Sequence, residues 1–125
     1  YFAKTISETD VYQFAAVTGD FNPAHVNEAY AEGTFFKHRI AHGQLTVSLI
    51  SNILGTQLPG PGTIFVASSV TFMAPVYIED TIEAVVEVAE LNREKNRLKF
   101  KAWCTNQDGT KVLESEGMVM PPKKR

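Results

Sequence analysis

Two residues that can carry protons lie five positions apart near the start of the chain, Asp20 and His25. They belong to the stretch Gly19-Asp20-Phe21-Asn22-Pro23-Ala24-His25. Its glycine and proline predict that residues 18–25 form a loop, not a regular helix or strand. An aspartate and a histidine held on a rigid loop can move protons to and from one water. The structural alternative is that Asp20 caps a turn and His25 hydrogen-bonds to backbone.

Three residues further along the chain could build a site around this pair. Gly43 lies in the first turn of an apolar helix predicted over Ile40–Leu58, where unpaired N–H groups and the helix dipole favour negative charge. Its N–H could stabilise a thioester oxygen that becomes enolate-like, although a glycine there equally suits tight packing. His42 either shapes the loop or contacts a ligand. Ser51 needs a partner in so apolar a run, in the site or at a carbonyl one turn earlier.

The elements that must position these residues fall into a helical half followed by strands. Ser7 is the predicted N-cap of a first helix with Asp10 at position N3, and Gly19 ends that helix. Residues 27–36 are predicted to be a short helical or irregular piece, and the turn Pro59–Gly62 follows the long helix. Alternating residues then predict strands at Thr63–Phe72, Thr81–Leu91, Leu98–Thr105 and Thr110–Met120. The pattern indicates an α+β fold, one domain over residues 1–125, with one long helix across a curved antiparallel sheet.

The composition excludes several classes of function. The 125 residues carry a formal net charge of −2, which gives no basic field for nucleic acid, and the tail Lys123-Lys124-Arg125 is expected to be a solvated terminus. No apolar stretch is long enough for a membrane span, and no secretory signal is visible. Cys104 is the only cysteine, so no intramolecular disulfide can form, which fits a reducing, cytoplasmic setting. Its place between Trp103 and Thr105 in a strand-like run predicts a packing residue. The three histidines lack the spacing of a zinc site, so no metal is predicted.

The motif residues together resemble a known family. Thr18 to His25, then Ile40-Ala41-His42-Gly43 and Ser51, are similar to the hydratase-2 motif of the MaoC-like hot dog family. The (R)-specific enoyl-CoA hydratases match especially well, and Leu58-Pro59-Gly60 and the strand Ser68 to Pro75 extend the likeness over nearly the whole chain. The resemblance implies a hot dog fold, in which the long helix is wrapped by the sheet. It also implies a homodimer or higher homo-oligomer in which two sheets become continuous.

The resemblance further implies a reaction and residue roles. The reaction is reversible syn hydration of a trans-2-enoyl-CoA to an (R)-3-hydroxyacyl-CoA. Asp20 and His25 would be the catalytic pair, and the Gly43 N–H would form the oxyanion hole. Ser51 would orient Asp20, while Asn22 would support the loop and the catalytic water. No metal or redox cofactor is implied, because the CoA thioester is the substrate.

Three alternatives remain open from the sequence. A dehydratase acting on acyl-carrier-protein thioesters would run the same chemistry in reverse, and a hot dog thioesterase would release free thiol. A module that only binds acyl-CoA would need neither Asp20 nor His25. The hydration step serves polyhydroxyalkanoate precursor supply, fatty acid metabolism and fermentation alike, so the pathway is not specified. The sequence also leaves open which of Asp20 and His25 accepts the proton.

Overall fold

A computed structural model describes residues 1–123, and Lys124 and Arg125 of the predicted tail lie outside the described residues. Along the chain the structure forms five strands and four helices, in the order β1 (Phe2–Thr5), α1 (Glu8–Thr18), α2 (Pro23–Val26), α3 (Glu28–Glu32), α4 (Gly43–Thr56), β2 (Ile64–Phe72), β3 (Thr81–Asn92), β4 (Arg97–Thr105) and β5 (Lys111–Met120).

The strands form one antiparallel sheet in the order β1-β3-β4-β5-β2. The successive strands β3, β4 and β5 form two antiparallel hairpins, and their turns use left-handed backbone at Asn96 (φ 53°) and Gly109 (φ 79°). The strand β2 does not pair with β3, which follows it in the sequence. It pairs with β5 at the other side of the sheet, with Ser69 opposite Glu116. This places β1 and β2 at the two edges of the sheet.

The helix α4 packs on the sheet and supplies much of the core. Leu49, Ile50, Ile53 and Leu54 are at most 5% exposed, and they lie in one cluster with inward side chains of the sheet. In β4 the alternation predicted from the sequence is confirmed, because Leu98, Phe100, Ala102 and Cys104 are all buried. The α+β fold with one long helix against an antiparallel sheet is therefore confirmed.

The apolar helix predicted from the sequence is buried on one side only in the single chain. Gln44, Ser48 and Ser51 are exposed along one side of this helix, while Thr46 and the apolar residues face the core. The polar side chains recur about one and two turns apart, which places them on a common face. The helix is therefore amphipathic here, and its polar face is not covered by residues 1–123.

Two short elements, β1 and α2, were not predicted from the sequence. The strand β1 lies in the half predicted to be helical, where Phe2 to Thr5 alternate between half-buried and exposed positions. The segment 18–25 is not wholly a loop, because Pro23–Val26 forms the helical turn α2 with Asn22 as its N-cap. A proline suits the first helical position, where its fixed φ fits and its missing N–H is not needed. His25 therefore projects from a helical turn.

The boundaries of α1 were predicted correctly. Ser7 and Asp10 form a reciprocal capping box, in which each side chain accepts a hydrogen bond of 3.0 Å from the other residue's backbone N–H. Gly19 ends the helix with a φ of 82°, and its N–H donates to Ala15 O at 2.8 Å. Glycine reaches this left-handed conformation without steric cost. The chain thus turns sharply just before Asp20.

Across residues 1–123 we find no helix that is both long and apolar enough to cross a membrane. The thiol of Cys104 is buried inside β4, and this burial raises its pKa to about 12. The prediction that Cys104 is a packing residue agrees with this placement. A thiol that is both inaccessible and protonated is a poor nucleophile.

Candidate active site

Asp20 lies in an exposed turn that its own side chain helps to shape. Its Oδ1 accepts the backbone N–H of Asn22 at 3.2 Å, and its own N–H donates to the Thr18 hydroxyl at 3.1 Å. Asn22 makes the same kind of contact two residues further on, because its Oδ1 accepts the Ala24 N–H at 3.0 Å. These contacts match the structural alternative considered for Asp20, and they make Asn22 a turn former. The role of Asn22 in supporting the active site stays a prediction. A carboxylate oxygen that caps a turn can still accept further hydrogen bonds.

His25 is half-buried, and its ring is fixed by a long-range contact. Its Nδ1 lies 2.7 Å from the carbonyl oxygen of Ile40, fifteen residues along the chain. Because a carbonyl only accepts, Nδ1 must carry the hydrogen. In the neutral ring this leaves Nε2 without a hydrogen, so Nε2 is the atom able to accept a proton.

His42 connects the two predicted catalytic residues. It is 3% exposed, its Nε2 lies 2.8 Å from the backbone oxygen of Asp20, and its ring centroid is 4.0 Å from that of His25. The centroid of the Phe14 ring of α1 lies 4.9 Å from that of His42. Of the two roles considered for His42, the structure shows the loop-shaping one. The Nδ1 atom of His42 is buried and has no hydrogen-bond partner among residues 1–123.

Gly43 is the first residue of α4, so its N–H has no carbonyl one turn earlier within the helix. A Cβ atom at this position would come within 2.7 Å of Cε1 in the Phe72 ring of β2. The tight-packing reason for a glycine is therefore present. The unpaired N–H is the reason that would matter for catalysis, and both hold at this position without conflict.

A cavity of about 480 Å³ adjoins these residues. His25, Gly43 and Thr46 line it together with mainly apolar neighbours, among them Phe36, Phe72 and Val112. Thr46 is 1% exposed, and its hydroxyl has no hydrogen-bond partner among the described residues. The volume and the apolar lining suit a small or medium acyl group. Asp20 is not among the residues that line this cavity.

Within the single chain, Ser51 does not lie beside the other predicted site residues. It is exposed on α4, eight residues beyond Gly43, which corresponds to about 12 Å along the helix. Among residues 1–123 its hydroxyl makes no hydrogen bond to Asp20 or to the carbonyl one turn earlier. The role of Ser51 in orienting Asp20 stays a prediction.

The fold brings together three titratable side chains whose spacing in the sequence did not predict a cluster. Asp20, His25 and His42 each offer a ligand atom, and these atoms lie within 4.8 Å of one another, whereas His38 lies apart beside Glu28. Two of the four ring nitrogens in this group already face backbone carbonyls. This engaged donor set suits proton transfer better than a metal with several protein ligands. The prediction that no metal is bound remains a prediction.

Sequence reasoning missed two residues that shape the site, Thr46 and Phe72. Thr46 looked like any residue of an apolar helix, and only its burial beside Gly43 marks it. Phe72 meets Gly43 across 29 positions of chain, so no local pattern could have paired them. A hydroxyl in an apolar stripe was the available signal for Thr46, and it was used only for Ser51.

The chain resembles characterised hydratases over nearly all of its length. Residues 2–112 match the family model described as MaoC like domain. The sequence is 54% identical over 120 residues to an (R)-specific enoyl-CoA hydratase of Rhodospirillum rubrum, covering 96% of this chain and 83% of that protein. It is 48% identical over 121 residues to a 3-hydroxybutyryl-CoA dehydratase of Methylorubrum extorquens, covering 97% and 76%.

A solved structure gives the same result for the fold. The unliganded R-hydratase PhaJ1 of Pseudomonas aeruginosa superposes with a TM-score of 0.92 and 42% sequence identity, covering 98% of this chain and 79% of that one. The long helix against a curved antiparallel sheet is thus the hot dog fold, as predicted.

Proposed function

The chain belongs to the MaoC-like domain family, and from that premise we propose that it hydrates trans-2-enoyl-CoA thioesters reversibly to (R)-3-hydroxyacyl-CoA. It is an enzyme of the hydro-lyase class, as the curated relatives are. The observation that carries the proposal is the convergence of Asp20 and His25, with polar atoms within 4.8 Å, beside a cavity that His25 and Gly43 line. A water held by this pair can deliver its oxygen and a hydrogen to the same face of a double bond.

In the hydration direction one water adds across the C2–C3 bond. Its oxygen attacks C3 while one proton passes to the Asp20–His25 pair, and a proton from the same pair reaches C2. The oxygen and the hydrogen are therefore delivered from one side, which is syn addition. His25 suits the accepting role, since its Nδ1–H is held by Ile40 O and its Nε2 is free of hydrogen in the neutral ring.

The thioester oxygen gains negative charge as the C3–O bond forms. The Gly43 N–H at the start of the 14-residue helix α4 is the donor we assign to this oxygen. It is unpaired within the helix and lies at the positive end of the helix dipole, so it stabilises charge that develops in the transition state. The acyl chain then occupies the cavity lined by Phe36, Phe72 and Val112.

Two substitutions test the catalytic pair. Asp20→Asn and His25→Ala should each lower the turnover of crotonyl-CoA by about 10²- to 10⁴-fold, because each removes a group that moves a proton. The measurement is the loss of enoyl absorbance, with circular dichroism to check the fold. Asp108→Asn is the matched control, since Asp108 is exposed in the turn between β4 and β5, outside the site. Near wild-type turnover in either test variant would refute the assignment.

The thioester carrier is a finer question. Two further relatives, at 32% and 31% identity, are named 3-hydroxyacyl-[acyl-carrier-protein] dehydratases. The CoA form is favoured for this chain by the higher identity of the CoA-acting relatives. Turnover on the CoA and carrier-protein forms of one enoyl group separates the two, and a preference for the carrier-protein form would reverse the proposal.

We further propose that two copies pair through β2. This strand is an edge of the sheet, and Ile64, Phe65, Val66 and Phe72 on or beside it are 42% to 57% exposed. An exposed, apolar edge strand is a template for another strand, so natural proteins cover it. Because Phe72 touches Gly43, the same pairing lies close to the start of α4. The exposed Ser51 of one copy would then approach Asp20 of the other.

The remaining features of the proposal follow from the chemistry. The reaction moves protons and forms a C–O bond, so it requires neither a redox cofactor nor a metal, and CoA leaves as part of the product. A CoA substrate and a single buried thiol fit a reducing cytoplasmic setting. We assign no pathway, because the same step serves several.

A further inference from the structure

Arg39 is a half-buried charged residue that the proposed reaction does not use. Its side chain is 15% exposed and lies between α1 and the start of α3. The residue that follows it, Ile40, provides the carbonyl that holds the His25 ring at 2.7 Å. The placement of Arg39 therefore bears directly on the orientation of His25.

Ile40 and the turn that carries His25 are joined by two hydrogen bonds. The Ile40 N–H donates to Ala24 O at 3.1 Å, and the Ile40 carbonyl accepts from His25 Nδ1. If the Ile40 carbonyl rotated or shifted, the ring would lose the contact that fixes both its direction and its tautomer. What holds Ile40 in place thus decides how well His25 is aligned.

A single carboxylate ties down the segment just before Ile40. Glu28 Oε2 accepts from Arg39 Nε at 3.1 Å and from the Arg39 backbone N–H at 3.4 Å, while Glu28 Oε1 lies 3.0 Å from His38 Nδ1. Glu28 begins α3, only three residues after His25. Both ends of the segment that joins His25 to Ile40 are therefore fastened to each other.

The guanidinium of Arg39 also reaches the first helix. Its Nη1 donates to the Tyr12 hydroxyl at 2.9 Å, and that hydroxyl donates to Glu8 Oε1 at 2.7 Å. Arg39 also lies over the Tyr12 ring, with its Cζ 5.9 Å from the centroid. We name Arg39, Glu28, Tyr12 and Glu8 together the Arg39 clamp.

The clamp is better suited to alignment than to stability. Its carboxylates are 42% and 52% exposed, and ion pairs with exposed partners contribute little to folding. The planar guanidinium, in contrast, fixes direction because it donates to Glu28, Tyr12 and Glu8 at set angles. We propose, on the basis of the proposed hydratase function, that Arg39 is a positioning residue that aligns His25 through the Ile40 carbonyl.

Kinetics of three variants test this role. Arg39→Met should lower kcat for crotonyl-CoA by about 10- to 100-fold with KM changed less than about twofold, because a displacement of order 1 Å in a reacting group costs about that much. Glu28→Gln should show a smaller fall in kcat. Arg39→Lys should recover only part of the loss, since an ammonium restores the charge but not the planar pair of donors.

The control is Lys99→Met, which removes a cation from an exposed pair with Glu90 at 3.6 Å on β4 and β3. It should leave kcat and KM unchanged. Thermal unfolding of each variant reports stability separately, so a fall in kcat that follows only from a smaller folded fraction would be recognised. If Arg39→Lys and Arg39→Met lower kcat equally and in proportion to unfolded protein, the positioning role is wrong.

A second measurement follows the His25 ring without turnover. The proton on Nδ1 should give a protected imidazole resonance in the wild type, because Ile40 O shields it. Arg39→Met should weaken this signal or abolish it, whereas Lys99→Met should leave it intact. An unchanged signal in Arg39→Met overturns the proposal. A wild type that hydrates no enoyl thioester would refute the function, while the resonance would still decide whether Arg39 aligns His25.

Discussion

Asp20 and His25, the two residues proposed to carry protons, are held in place to different degrees. His25 is half-buried, and its ring is fixed by Ile40 O at 2.7 Å and by the His42 ring at 4.0 Å. Asp20 is exposed, and among residues 1–123 its carboxylate accepts a hydrogen bond only from the Asn22 N–H. Because the imidazole is already aligned and the carboxylate is less restrained, we expect His25 to set the position of the water between them. We expect Asp20 to need a further contact to fix its carboxylate.

Thr46 presents a polar group that folding alone does not explain. Its hydroxyl is buried, has no partner among residues 1–123 and faces the cavity that Gly43 lines. Replacing it with the isosteric valine should stabilise the free protein by about 1 kcal/mol, because an unsatisfied buried hydroxyl is removed. If the hydroxyl contacts the substrate, Thr46→Val should also lower kcat/KM about tenfold, the equivalent of one lost hydrogen bond.

Denaturant unfolding and crotonyl-CoA kinetics measure the two effects of Thr46→Val separately. Thr46→Ser, which keeps the hydroxyl and removes a methyl group, is the control and should retain kcat/KM. A valine variant with lower stability would show that the hydroxyl has a structural partner. A valine variant with unchanged kcat/KM would show that the hydroxyl makes no contact with the substrate.

At the residue scale, the sequence predicted the contacts that are local and missed those that are not. Asp20 and His25 were recognised together because one short motif contains both. The hydrogen bonds from His25 to Ile40 and from His42 to Asp20 span 15 and 22 positions, and sequence periodicity contains no information about such pairs. The uncovered position of Ser51 was also hidden, because an apolar helix predicts burial without saying on how many sides.

The helix α1 matters for the site because it delivers Asp20. Its first turn depends on the Asp10 carboxylate, which is 17% exposed and also lies 3.1 Å from Lys4 Nζ. Burial alone would raise the pKa of Asp10, but the hydrogen bonds from Ser7 and the Lys4 ammonium outweigh it and lower this pKa. The ionised carboxylate is therefore preferred in the folded protein.

This shift fixes the sign of a pH effect. A lowered pKa means that Asp10 stabilises the fold above its unfolded value, about 3.9, and that the stabilisation disappears as pH falls through the folded value. Asp10→Asn should thus lower the melting temperature at pH 7, and the difference from wild type should shrink below about pH 4. Asp108→Asn, at the β4–β5 turn, is the charge-matched control. A difference that stays constant down to pH 2 would contradict the assignment.

At the element scale, the long and regular pieces were predictable and the short ones were not. Capping residues and alternation placed α1 and the four later strands to within about two residues. The strand β1 has only four residues, so its alternation is too brief to stand out, and it exists because β3 offers it a partner. The turn α2 was hidden because Pro23, read as a breaker, is also the favoured first residue of a helix.

For the whole molecule, two surfaces lie uncovered on neighbouring elements. The edge strand β2 exposes apolar side chains, and α4 exposes Gln44, Ser48 and Ser51. The contact between Gly43 and Phe72 shows that the two elements meet. One second copy could cover both surfaces, which would explain why Ser51 has no partner within its own chain and why Asp20 is only locally held.

Mixed dimers test whether Ser51 acts across copies. By the two-fold symmetry of a homodimer, each copy contributes to two equivalent sites. A dimer of one Asp20→Asn chain and one Ser51→Ala chain then contains one site with both residues intact, if Ser51 serves the other copy's Asp20. It should show about half of wild-type turnover. If Ser51 acts within its own chain, the dimer cannot exceed about half the activity of Ser51→Ala alone.

The experiment requires chains with two different tags, co-expressed and purified through both. Val66→Lys puts a charge on the exposed edge of β2 and should give monomers by light scattering, whereas Val88→Lys, at a similarly exposed position on β3, should still pair. A Val66→Lys chain should therefore neither form the mixed species nor complement Asp20→Asn. Dimers that persist in Val66→Lys would place the pairing surface elsewhere. Complementation in such a chain would further show that Ser51 reaches Asp20 without β2, because the two surfaces would then be independent.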